Sequence, residues 1–173
     1  MQSCRRWRRW RRLSRNAGEI AANPNLLLVH LRAAAKENVM NGIETLAGAF
    51  GPKETMDRLE AAVRSKGMTV FARIDHAADA ASVGLELLPT ELLIFGNAKA
   101  GTLLMQVNQA IGLDLPLKAL VWQDAAGTTF LSFEDPRWIV SRHKEDAALA
   151  GLAADMARGL MALTTAATDT TSR

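Results

Sequence analysis

Two short segments hold the residues best suited to chemistry. In "FGNAKAGT", Phe95 ends an apolar run, Gly96 permits close approach, and Asn97 can cap a following helix. That geometry leaves the backbone N–H groups of Ala98, Lys99 and Ala100 pointing outward, where an anion is favoured and Lys99 would add charge. The same residues serve equally well as an ordinary helix start. They do not make a nucleotide loop, because Thr102 and Leu103 follow Gly101 where a Walker A sequence needs lysine and then serine or threonine. In "RIDHAAD", Asp75 and His76 leave the end of a strand and form the candidate acid and base pair. Asp75 could instead be only a helix cap. If strand ends gather near helix starts, His76, Asn97 and Lys99 converge.

A third segment, "LDLPLKALVWQD", puts Lys118 and Trp122 on one strand parity, so both could line one side of a pocket or a dimer seam. An ordinary amphipathic strand explains the pattern as well. The candidate ligand-binding set is therefore Phe95, Gly96, Asn97, Lys99, Lys118 and Trp122, with Asp75 and His76 as the candidate catalytic pair. No metal and no cofactor are expected, since His30, His76 and His143 lack ligand spacing and Cys4 is the single cysteine. No G-x-S-x-G elbow is present, and the absence of an assembled nucleophile argues against an enzyme more than for one.

These residues need elements to position them. Residues 43–50 can form a strand, and "GPKETMDRLEAAVRSKGM" a helix with Pro52 near its start, Gly67 after its end, and Met56, Leu59 and Val63 on one face. Glu54 with Arg58 and Glu60 with Arg64 have the i,i+4 spacing of surface ion pairs. "MTVFARID" alternates as a strand expected to pair with the first. A short helix from Asp75 to Gly84, the strand "ELLIF", and a helix with Leu103, Leu104, Val107 and Ile111 on its inner face follow. "LKALVWQDAAGTTFLSF" reads as a hairpin turning at Gly127. "DPRW" starts a helix, with Asp135 as cap, Pro136 in the first turn and Trp138 as a packing anchor. From Glu145 a longer helix carries Leu149, Leu152, Met156, Leu160 and Leu163 on one stripe, and "TTAATDTTSR" is expected to be a polar fraying tail. The order predicts an α+β fold, with helices packed on one side of a small, mostly antiparallel sheet and a C-terminal helix added.

A chain of 173 residues, 49% hydrophobic, suffices for one domain core, and no apolar run approaches the roughly 20 residues of a bilayer span. The expectation is a soluble, cytoplasmic protein. Charge is uneven. Residues 1–15 carry seven arginines, Arg5 to Arg15, and no acid, against a net charge of +3 for the whole chain. The remainder is therefore acidic. The run "RRWRRWRR" could contact nucleic acid, anionic membrane or acidic protein, through arginine forks and stacking indoles. It could equally be a basic arm without a partner, or sequence upstream of a start at Met40. The division expected is 1–39 as arm, 40–144 as the α+β domain, and 145–173 as C-terminal helix and tail.

The motifs "IDH", "LPTELLIFGN", "LDLPLKALVW" and "DPRW" together resemble the domain of unknown function 302 family, over about residues 42–144. Members usually have proline after that asparagine, where this chain has Ala98. Proline is favoured but not required at a first helical position, so the departure costs little. The resemblance implies an α+β domain of the TATA-binding-protein-like class, often a homodimer, and implies neither a particular activity nor DNA binding. The leading expectation is a noncatalytic homodimer that binds a small anionic or amphiphilic ligand.

Overall fold

Strand alternation and five helices account for the architecture of residues 42–143 and 147–170, which a computed structural model describes. The arginine arm, Met40 and Cys4 lie outside those residues. Among the described residues, five strands form one sheet: β1 (Ile43–Ala47), β2 (Thr69–Asp75), β3 (Thr90–Gly96), β4 (Leu117–Gln123) and β5 (Thr129–Glu134). Their order is β1-β5-β4-β3-β2, and every neighbouring pair is antiparallel. The helices are α1 (Pro52–Ser65), α2 (His76–Ser82), α3 (Ala98–Val107), α4 (Pro136–Ser141) and α5 (Ala147–Thr168), with a 3-10 turn at Gln109–Leu113. The fold is α+β.

Sheet polarity follows the period of two along each strand. Leu117, Ala119 and Val121 on β4 and Leu131 and Phe133 on β5 are buried, while the alternating Lys118, Leu120, Trp122 and Ser132 are only half-buried. The buried set packs under α1, whose Met56, Leu59 and Val63 sit at helical spacing and are sealed from solvent. Helix α5 lies beside α1 and adds Leu149, Leu160 and Leu163 to the same core, with Leu152 and Met156 packed against it. Burial of this apolar face, not intrinsic propensity, holds the helices to the sheet.

Several expectations are corrected. Strand β2 does not pair with β1; it pairs only with β3 at one edge, and β1 pairs with β5 at the other. An antiparallel partner for β1 exists only where the β4–β5 hairpin returns the chain, with Leu46 opposite Leu131. Leu103 and Val107 are 44% and 49% exposed, because α3 ends at Val107 and buries only Leu104. Ile111 reaches the core from the 3-10 turn instead. Residues 164–168 are not a frayed tail. Thr164, Ala167 and Thr168 are buried on α5, and the Thr164 hydroxyl donates to the Leu160 carbonyl at 3.0 Å. Arg58 leaves Glu54 and instead donates to the carbonyls of Ala166 and Asp169 at 3.1 and 3.2 Å, its guanidinium 4.0 Å from the Phe50 ring centroid. A cation at those carbonyls stabilises the negative end of α5.

Arg73 on β2 ties α1 to the sheet edge. Its guanidinium meets Asp57 at 2.7 Å, Glu60 at 3.2 Å, and both carboxylate oxygens of Glu91. Lys53 and then Arg73 hold the Asp57 carboxyl below its ordinary pKa, and Arg64 and then Arg73 do the same for Glu60. A carboxylate depressed in the folded state contributes stability above its unfolded pKa near 4 and loses it as pH falls through the folded value. We expect Arg73→Met to cost about 1–3 kcal/mol at neutral pH, the Arg73 side chain being 27% exposed. Its stability should also fall less steeply than the parent's between about pH 4 and 2. Urea titrations at several pH values check both, and parallel acid limbs in the two proteins would refute the assignment.

Candidate functional site

The sequence places an asparagine between a buried strand and a helix, and the local structure follows from that. Asn97 has extended backbone, and its side-chain oxygen accepts from the Ala100 N–H at 3.1 Å, so α3 starts at Ala98. The first turn of α3 stands at the mouth of a cavity of about 370 Å³. One wall comes from the ends of β3 and β4, through Phe95, Gly96 and Leu117. A second is α3, through Ala98, Gly101, Thr102 and Met105. Opposite them stand Met156, Gly159, Leu160 and Leu163 of α5, with Leu115 and Pro116 closing one end. Between Val70 and Ala72 the β2–β3 register shifts, and Phe71, at that irregularity, is 57% exposed and lines the cavity. Such a bulge re-aims a side chain.

Among the described residues, no lysine, arginine, histidine or carboxylate side chain is part of this lining; Asn97 and Thr102 are its described polar side chains, and both lie at the exposed side. Two of the lining glycines, Gly101 and Gly159, are in helices, where glycine is less favourable than alanine by about 0.8–1 kcal/mol. Neither is required by crowding. A Cβ at Gly159 would meet nothing within 4 Å, and one at Gly101 would make ordinary contact with Leu115 at 3.8 Å. Both border the cavity, whereas Gly151, also in α5 and equally uncrowded, does not.

Phe95, Gly96 and Asn97 from the sequence reading are thus brought together on the cavity wall. Lys99 is exposed on α3 and is not part of the lining. Lys118 and Trp122 are not part of it either, because β4 alternation turns Leu117 to the cavity side and those two residues to the other. Trp122 stacks on Phe130 with 4.6 Å between ring centroids and donates to the Ser132 hydroxyl at 2.9 Å. The convergence expected of His76 with Asn97 and Lys99 does not occur. In the antiparallel register Asp75 lies opposite Glu91 while Gly96 lies opposite Thr69, so the two sites stand at opposite ends of the sheet, about 20 Å apart at 3.3 Å per residue. Asp75 caps α2, accepting from the Ala78 N–H at 2.9 Å.

A polar cluster that sequence reasoning missed braces one end of the cavity. Asp114, next to Leu115, receives His143 Nε2 at 2.5 Å and Arg142 Nη1 at 3.2 Å, and Asn108 Nδ2 donates to the His143 carbonyl at 2.9 Å. These contacts join the end of α4 to the 3-10 turn and the strand entry that follows. The partners are about thirty residues apart, and no local spacing announces them. The α5 wall carries a fainter signal: a glycine inside a helical apolar stripe.

The family model described as "Domain of unknown function DUF302" matches residues 45–167, which takes the match through nearly all of α5. Among curated proteins, the "Fluoride-specific ion channel FluC 1" of Brucella suis biovar 1 (strain 1330) is 45% identical over 117 residues, 68% of this chain and 44% of that protein. The "Fluoride-specific ion channel FluC 2" of Brucella melitensis biotype 1 is likewise 45% identical over 117 residues, 68% of this chain and 42% of that protein. The chain spans less than half the length of these relatives. Among solved structures, the "Crystal structure of uncharacterized conserved protein DUF302 from Bacillus stearothermophilus" matches with a TM-score of 0.67 and 27% identity, covering 73% of this chain and 98% of that one. Among the described residues no helix is long and apolar enough to cross a membrane.

Proposed function

This chain belongs to the DUF302 family, and we propose that its domain is a noncatalytic, homodimeric module that binds a small amphiphilic molecule. The observation that carries the reading is the cavity of about 370 Å³ between the end of β3, the start of α3 and α5. Its size falls in the range of small-molecule sites, and such sites are mostly apolar with a few polar groups at fixed places. A ligand body would lie among the α5 and β-strand side chains, with a polar end near Asn97, Thr102 and the first turn of α3. The anionic alternative loses support, because Lys99 lies outside the lining and no other cation among the described residues replaces it. The acid and base reading of Asp75 and His76 also loses support, since those residues stand far from the cavity and Asp75 is committed to capping.

Dimerisation is supported by the family resemblance and by the second sheet face, where Leu92, Ile94, Leu120, Trp122 and Phe130 lie side by side in the register. The reading includes a cytoplasmic location, which fractionation of the native host would test. The relatives named as fluoride channels suggest how the module is used. A matching stretch of 117 residues in a chain of 173 must run through the middle of the domain. We read the shared part as the binding module, and ion conduction as a property of the remainder of those longer proteins.

Native mass spectrometry of protein isolated gently from its own host tests the reading. The expected spectrum is a dimer with a mass excess that disappears on denaturation. A monomer without retained mass, whose thermal stability no small amphiphile alters, would remove it.

A further inference from the structure

We infer that the cavity selects an unbranched aliphatic chain and is nearly indifferent to the charge of its head group; the inference rests on the binding reading above. Three observations point to this class. First, the described residues of the lining offer no charged side chain, and the Asn97 side-chain oxygen is already engaged by the Ala100 N–H. A charge drawn inside would lose its hydration without compensation, so the buried part of the ligand is neutral and the head stays at the wet mouth. Second, Met68, Met105 and Met156 all contribute, and unbranched, polarisable methionine adapts to a flexible chain better than to one rigid outline. Third, Gly101 and Gly159 border the same space without a packing reason, so neither helix presents a side chain at those positions to obstruct a ligand. The cavity of about 370 Å³ bounds the length, since a chain that outgrows it leaves its further carbons in water.

The test is a titration of the full-length protein, by calorimetry, with straight-chain alcohols, carboxylates and trimethylammonium ions of six to fourteen carbons. Kd should fall about fourfold per added methylene and level off within the series, once the chain outgrows the cavity. Exchanging the head at fixed length should change Kd by less than about threefold, because the head remains solvated. Gly159→Leu, which fills the open space beside α5, should weaken the best chain at least tenfold while leaving the melting temperature equal or higher. Gly101→Leu tests the opposite wall if the first variant folds poorly. A Kd that follows head charge and ignores chain length overturns the inference, as does a chain-length series unchanged in both glycine variants. Absence of binding by every chain, in protein that nevertheless retains a native small molecule, overturns the aliphatic class and spares the binding reading. Absence of both removes the two together.

Discussion

Replacing Gly42 with alanine should cost about 2–5 kcal/mol of folding stability. Gly42 leads into β1 with φ +71°, a conformation that disfavours any side chain by about 1–2 kcal/mol. Space is the larger difficulty. A Cβ there would fall 2.0 Å from both Cγ and Cδ1 of Trp138, the root of the indole and not a flexible tip. The turn is also tied to the start of α4, where Pro136 fixes the backbone, the Asp135 carboxylate caps the Arg137 N–H at 2.8 Å, and the Asp135 N–H donates to the Gly42 carbonyl at 2.8 Å. Overpacking of this kind adds about 1–3 kcal/mol. Denaturant unfolding would report a lower midpoint at unchanged slope. In Gly42→Ala with Trp138→Ala the steric part should vanish, leaving a coupling of at least about 1 kcal/mol between the two sites. A loss below about 0.5 kcal/mol in the single variant would mean that the indole does not stack on this turn.

Phe95→Ala carries the other large effect, about 3–5 kcal/mol. Phe95 is wholly buried near the end of β3, opposite Val70 of β2 and Leu117 of β4, so its removal takes a large side chain from the core as well as from the cavity wall. Phe71 lines the same cavity but is 57% exposed, and Phe71→Ala should cost less than about 1 kcal/mol. The pair separates structure from site. Both variants widen the cavity, while only the first undermines the sheet. Equal losses in the two would show that Phe71 is packed into the core like Phe95.

Much of the fold was legible because its signals are local. Pro52 and Gly67 bracket α1, Asp75 and Asp135 cap short helices, Asn97 caps α3, and Gly127 turns the last hairpin with φ +83°. Each depends on a few adjacent residues whose backbone preferences act over one turn. The stripe of α5 was equally readable from its periodicity, but its end was not. Thr164 and Thr168 look polar in sequence, yet their hydroxyls return to helix carbonyls one turn back and their methyl groups are buried.

The candidate site divides along the same line. By itself the sequence determined the α+β class, the apolar faces, the cap at Asn97, and the Phe95-Gly96-Asn97 edge that the cavity uses, because these are properties of neighbouring residues. Only the tertiary structure decided that β2 runs antiparallel to β3 at the sheet edge, which carries Asp75 and His76 away from Asn97. It also decided that α5 lines the same cavity as α3, joining Met156, Gly159 and Leu160 to residues some sixty positions earlier. Strand order and helix placement depend on which apolar faces meet and how the chain closes between them, and that free energy belongs to contacts between segments that no local pattern records.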